Sequence, residues 1–335
     1  LYIFDCLPNM GNLSSEEVIR RTLYGVKKLR EKHDAPILIV DHIGYRNTEL
    51  NEGSRETAER MNEASRQAFD SLRRLGVKNI HHLHKDSINM PMDGCVDNIH
   101  PTDLGMQVYA DAYEKIVRKI LNMPVGKITT TRPVSQRREP DIYEWKERHA
   151  AILKKLQTGN AERVIIGNSI THYWGGEPGR EHGSRSWREE MEPAGFVNLG
   201  FGWDRVENVL WRVYHGELDG YRAKEVVLMI GTNNLGLNSE NEIVDGLKFL
   251  LDQIRVRQPN AVIKVVGLLP RRGKEEVVRT INRQISEMAA LHNYRYVEVG
   301  SRLLTADGKV DERLFLDGLH PNEKGYSLIV EDLLD

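Results

Sequence analysis

The chain has 335 residues, 40% of them hydrophobic and 29% charged, with a formal net charge of −2. That length suits two domains, and the composition is that of an ordinary water-soluble globular protein with material for buried cores. The near-neutral charge gives no field favouring nucleic acid or an anionic membrane, and no run of about 18 apolar residues exists to span a bilayer. Two cysteines, Cys6 and Cys95, make neither a disulfide framework nor a zinc site. They are expected as buried thiols, with pairing to each other as the alternative.

LYIF (1–4) reads as a strand, not as a secretory leader. The chain starts without Met, so it is expected to be a fragment or a processed product, and its compartment stays open. Ser15 to Lys32 has helical spacing, with Val18, Leu23, Val26 and Leu29 on one stripe. PILIV (36–40) is apolar throughout, which suits a strand covered on both faces. Residues 54–75 predict a second helix closed by Gly76, KNIHHL (78–83) a third strand, and DNIHPTDLG leads into a helix at 103–120. The stretch 122–140 is rich in Pro, Thr and charge, lacks periodicity, and reads as a linker. A helix at 141–157 then precedes strands at 163–167, 196–199, 225–230, 262–268 and 295–299, with helices between them and a last one after Pro321. Such alternation predicts an α/β fold with a parallel sheet and helices on both faces. Ligands then bind beyond the carboxyl ends of the strands.

The residues that follow those strands have the makings of acyl-transfer chemistry. The strand at 163–167 delivers Asn168, Ser169 and Thr171; the strand at 196–199 delivers Gly200, Gly202, Trp203 and Asp204; the strand at 225–230 delivers GTNN (231–234); and LDGLHPNEKGY carries Asp317 and His320. A serine is a weak nucleophile until a base takes its proton. His320 can take it, and Asp317, three residues earlier, can fix the imidazole tautomer. A tetrahedral oxyanion needs donors, and the Ser169 N–H, an N–H of the Gly202–Trp203 turn and the Asn233 amide are the candidates. GNSIT lacks the second glycine of the G-x-S-x-G elbow.

The blocks IGNSIT, NLGFGWD, GTNN and DGLH, in that order, resemble the SGNH or GDSL-type hydrolases. The stretches ENVLWRVYHGEL, IGTNN and RQPNAVIKVVGLLPRRG are similar to the catalytic subunits of the intracellular platelet-activating-factor acetylhydrolases. The resemblance implies a three-layer α/β/α, flavodoxin-like fold with a five-stranded parallel sheet. It implies ester hydrolysis through an acyl-serine, without metal or cofactor. Ser169 would be the nucleophile, Asn233 an oxyanion donor, and Asp317 and His320 the rest of the triad. The sequence departs from the family at two places. Asn168 stands where the family usually has Asp, and Trp203, after Gly202, stands where it has the donating glycine.

Residues 1–121 carry the later half of the same pattern, and 141–335 the complete one. DCLPN (5–9) aligns with IGTNN and VDNIHPTDLG (96–105) with LDGLHPNEKG. The resemblance implies Asn9, Asp97 and His100 as the matching positions. The matching serine would lie upstream of Leu1, so this half is expected to be inactive as given.

Several residues carry alternative readings. HHLH (81–84) suggests a metal, but strand alternation puts only His82 and His84 on one face, so none is expected. His172, Tyr173 and Trp174 either line a pocket or pack. Arg271 reaches the rim as a turn charge or a substrate contact. The expected function is removal of a short acyl group, most simply acetyl, from a carbohydrate or a small ester. A phospholipid acetylhydrolase and a non-catalytic carbohydrate-binding module are the alternatives. No nucleic-acid partner or membrane insertion is expected, and an oligomer is compatible.

Overall fold

Ile37–Val40 is apolar at every position because its alternate side chains enter two different layers. Leu38 and Val40 pack with Leu83, Ile88 and Ala112, whereas Ile37 and Ile39 pack with Val26 and Leu72. Only a sheet with helices on both faces buries such a strand. In the computed structural model, which describes residues 1–158, 161–178 and 182–334, the chain divides into two units, Leu1–Pro124 and Val125–Asp335.

The first unit runs β1 (Tyr2–Phe4), α1 (Ser15–Arg30), β2 (Ile37–Val40), α2 (Glu52–Arg74), β3 (Ile80–Leu83) and α3 (Asp103–Ile120). Its strands pair in parallel in the order β1-β2-β3. Each long helix starts on a side-chain cap: Ser14 accepts from the Glu17 N–H, Asn51 from Ser54 and Thr102 from Gly105. Helix α3 covers one face of the sheet, and α1 and α2 pack together on the other. Cys6 and Cys95 are both free and half-buried, so neither expectation for them holds in full.

The second unit runs α4 (Trp145–Thr158), β4 (Arg163–Gly167), α5 (Ser169–His172), β5 (Phe196–Gly200), α6 (Val206–Tyr214), β6 (Glu225–Met229), α7 (Glu240–Arg257), β7 (Val262–Val266), α8 (Glu275–Leu291), β8 (Arg295–Val297) and α9 (Glu323–Leu334). Five parallel strands lie in the order β5-β4-β6-β7-β8. Ile165, Val227, Val266 and Val297 join Tyr326, Ile329 and Leu333 of α9 in one buried cluster. Their strand neighbours Val164, Ile166, Val226 and Leu228 are buried on the opposite face. The chain leaves β4 toward β5 and returns to β6 on its other side. That reversal makes the carboxyl end of β4, just before Ser169, the switch point where ligands bind in such sheets.

The stretch read as a linker packs instead. From Val125 it belongs to the second unit; Thr130 is fully buried and its hydroxyl donates to the Glu242 carbonyl. It lacks periodicity because, apart from one 3-10 turn at Thr129–Thr131, it lies across other elements without forming a regular one.

Candidate active site

Strand β4 ends on Gly167, where no side chain fits: a Cβ would meet the Thr171 hydroxyl and the Met229 carbonyl. The chain therefore turns at once into α5. Asn168 caps that turn, its side-chain oxygen accepting the Ile170 N–H at 2.9 Å and its carbonyl accepting the His172 N–H. The capping atom is an oxygen that Asn and Asp share, so the departure at Asn168 preserves the turn. Ser169 is buried at the first position of α5.

The loop before α9 brings the other two groups. The Asp317 Oδ1 accepts the N–H groups of Leu319 and His320, and its Oδ2 lies 2.7 Å from His320 Nδ1. Burial works against the ionised Asp317, but the N–H and imidazole of His320 outweigh it and hold its carboxyl below the usual range. His320 Nε2 stands 2.9 Å from Ser169 Oγ. With Asp317 on Nδ1–H, the Nε2 lone pair faces the serine hydroxyl. The Tyr173 ring packs 5.2 Å from the His320 ring.

The glycine block lies against this serine turn. A Cβ on Gly200 would fall 2.2 Å from the His172 nitrogen, so only glycine lets β5 approach α5. Asn198 ties the two together, donating to the Thr171 carbonyl and accepting from the Gly200 N–H. The Gly202 N–H, one of the expected donors, is already used: it donates to His172 Nδ1 at 3.2 Å. Gly202 is therefore removed from the oxyanion set. Trp203, the other expected donor of that turn, has a φ of +62° and is half-exposed. Among the described residues no acceptor engages the N–H of Ser169 or of Trp203. Asn233 gives one amide hydrogen to the Asp204 carbonyl at 3.0 Å and retains the other.

A buried polar network fixes that turn. Asp204 accepts from Trp145 Nε1 at 2.7 Å, Gln136 Nε2 at 3.0 Å and Arg212 Nε at 2.9 Å. Arg212 also pairs with Glu217, and its charge is held by the two carboxylates against complete burial. Arg138 donates to the Trp203 carbonyl, while Gln136 and Tyr143 donate to that of Gly202. His172 is buried, donates Nε2–H to the Pro178 carbonyl, and is kept neutral, its pKa pushed down to about 3 by burial and then by Arg148. Apart from Asp204 and His172, none of these supports was singled out from sequence. Gln136 and Arg138 lay in the supposed linker, and nothing local distinguishes Arg212 from any other helix arginine.

Other expectations change. Trp174 does not line the site: it is fully buried among Trp187 and Tyr326, its indole donating to Ser186. Arg271 donates to the Thr232 carbonyl beside Asn233, and Arg272 pairs with Glu312. In the first unit, Asp97 and His100 form the same pair at 2.7 Å and Asn9 is exposed. His82 and His84 share a face as expected, but Asp41 of the neighbouring strand joins them.

Two profiles of the GDSL-like lipase/acylhydrolase family match, one over residues 1–118 and one over 165–328. The human platelet-activating factor acetylhydrolase IB subunit alpha1 is 31% identical over 194 residues, covering 56% of this chain and 80% of that protein. The chain belongs to the GDSL-like lipase/acylhydrolase family. It carries two domains of this SGNH-hydrolase type in tandem. The rat alpha2 subunit is 33% identical over 152 residues, 44% of this chain and 66% of its own. Among solved structures, a GDSL-like lipase from Bacteroides thetaiotaomicron matches at 17% identity and TM-score 0.44, covering 56% of this chain and 96% of its own. Membership puts this GDSL-type chain among the ester-cleaving acylhydrolases. Among the described residues no helix is long and apolar enough to cross a membrane.

Proposed function

We propose that the second unit is a serine esterase that removes a short acyl group, most simply acetyl, through an acyl-Ser169 intermediate. The carrying observation is the hydrogen-bonded series Asp317–His320–Ser169, with distances of 2.7 and 2.9 Å. His320 Nε2 takes the hydroxyl proton as Ser169 Oγ bonds to the acyl carbon. The oxyanion forms against the N–H groups of Ser169 and Trp203 and the Asn233 amide. The carbon–oxygen bond to the carrier breaks, and His320 returns the proton to the departing alcohol. A water, deprotonated by the same imidazole, then releases the acid and frees the serine. The proton transfers use side chains already in contact.

A carbohydrate is the favoured carrier, because the exposed indole of Trp203 stands beside the proposed oxyanion donors and suits a sugar face. The short acyl group follows the acetylhydrolase subunits the chain resembles. Their name also supports a second carrier, a phospholipid-like acetyl ester. Turnover of aryl acetate against aryl octanoate, by wild type and Ser169→Ala, tests the reaction. Fast acetate turnover that vanishes in Ser169→Ala is expected. No turnover of any ester, with sugar binding retained, would overturn the enzyme reading in favour of a carbohydrate-binding module. A panel of acetylated glycans and an acetylated ether phospholipid separates the carriers.

A further inference from the structure

We propose that the first unit binds a divalent first-row transition-metal ion through Asp41, His82 and His84. Strands β2 and β3 run parallel with Ile39 opposite His82, so Asp41, just past the end of β2, reaches the His82–His84 side of β3. Asp41 Oδ1 lies 2.8 Å from His82 Nε2, and Oδ2 lies 3.6 Å from His84 Nδ1. All three ligand atoms fall within 4.8 Å of one another. Ligands at ordinary zinc bond lengths stand about 3–3.5 Å apart around a tetrahedral ion, so small side-chain rotations close the site.

The surroundings are built. Asp41 is 1% exposed, and its own N–H is bonded to the Leu83 carbonyl. Its Oδ2 accepts the Lys85 N–H at 3.3 Å, which orients the carboxylate from behind. The Phe69 ring packs 5.2 Å from His82, and the two imidazoles lie 4.4 Å apart. His84 is 55% exposed and leaves an entry path and room for a water ligand. Two imidazoles and one carboxylate suit Zn²⁺ or Co²⁺ and not Mg²⁺ or Ca²⁺.

Arg66 is the competitor. Its guanidinium stands 3.6 Å from Asp41 Oδ2, beyond hydrogen-bond range, and donates to Glu63 instead. An ion between the imidazoles would displace it outward, where its side chain is already partly exposed. His82 would give up its Nε2 proton, either to Nδ1 or to solvent, so that the lone pair meets the metal.

The test uses the full chain, titrated with Zn²⁺ by calorimetry and with Co²⁺ by its visible absorption. One equivalent of Zn²⁺ per chain is expected, with Mg²⁺ giving no signal. The His84 side chain is more than half exposed, and His84→Ala should weaken Zn²⁺ uptake by about tenfold or more. Arg66→Ala should tighten it, because the competing cation is gone; a merely structural ion pair would not respond so. No stoichiometric uptake by wild type, or uptake unchanged in both variants, would overturn the site. An unfolding temperature of metal-free His84→Ala equal to that of wild type separates lost binding from lost fold.

Discussion

The two Asp-x-x-His loops of this chain are nearly the same object with different surroundings. In each, the Asp Oδ1 accepts the N–H groups two and three residues on, and the Oδ2 meets the His Nδ1 at 2.7 Å. Both carboxyls are held below the usual range, Asp97 first by the His100 and Ile99 N–H groups, Asp317 despite burial. The loops diverge at the far nitrogen. The His100 side chain is 75% exposed, and no partner meets its Nε2 among the described residues; that of His320 is 17% exposed and meets Ser169. The oriented imidazole is thus a local product of four residues. A proton acceptor in the right place requires a serine 151 positions away.

The sharpest way to break this comparison is to remove one imidazole at a time. His320→Ala and Ser169→Ala should each lower kcat on aryl acetate by about 10⁴ or more, and their double variant should be no worse, because triad members act as a unit. His100→Ala should leave kcat unchanged. Equal losses from His100→Ala and His320→Ala would mean that the first unit works. The asparagines come next. Asn233→Ala should cost about 10²–10³ in kcat with little change in KM, while Asn9→Ala should cost nothing in the same assay.

Acid should affect the two units alike. His172 in the second and His42 in the first are buried neutral, with pKa values pushed down to about 3 and about 4, in each case first by burial. Depressed histidines take up protons more readily unfolded than folded. Their contribution is therefore complete above the unfolded value of about 6.5 and is lost as pH falls toward the folded values. Melting temperatures should fall steadily below about pH 6.5, and His172→Gln should reduce the loss in the second unit, where His149 is also held down to about 4, first by burial. A transition insensitive to pH between 6.5 and 4 would contradict the burial of both. The smallest effect belongs to Trp203→Gly. It keeps the N–H and relieves a left-handed φ that costs about 1–2 kcal/mol in a bulky residue. It should raise the melting temperature slightly and preserve kcat on aryl acetate. A raised KM on acetylated glycans alone would mark the indole as the sugar platform.

Much of the fold was legible because its signals are local. Buried parallel strands must be apolar on both faces, so Ile37–Val40 and Arg163–Gly167 stood out, and α3 begins and ends where its spacing says. The segment 122–140 misled because packing without periodicity looks like a linker. Trp174 misled because an aromatic beside a serine is as well placed for the core as for the site.

By itself, the sequence determined the two α/β units with parallel sheets, the tandem repeat and the residue types of the proposed triad, because periodicity, turn residues and short Asp-x-x-His loops are decided within a few positions. Only the tertiary structure decided which donors remain available. Gly202 lost its N–H to a histidine from another strand turn, and Trp203 was forced into a glycine's conformation with its N–H unspent. It also brought Asp41 to His82 and His84 across a sheet. Those outcomes depend on which backbones meet, and strand pairing between distant segments leaves no mark on any one of them.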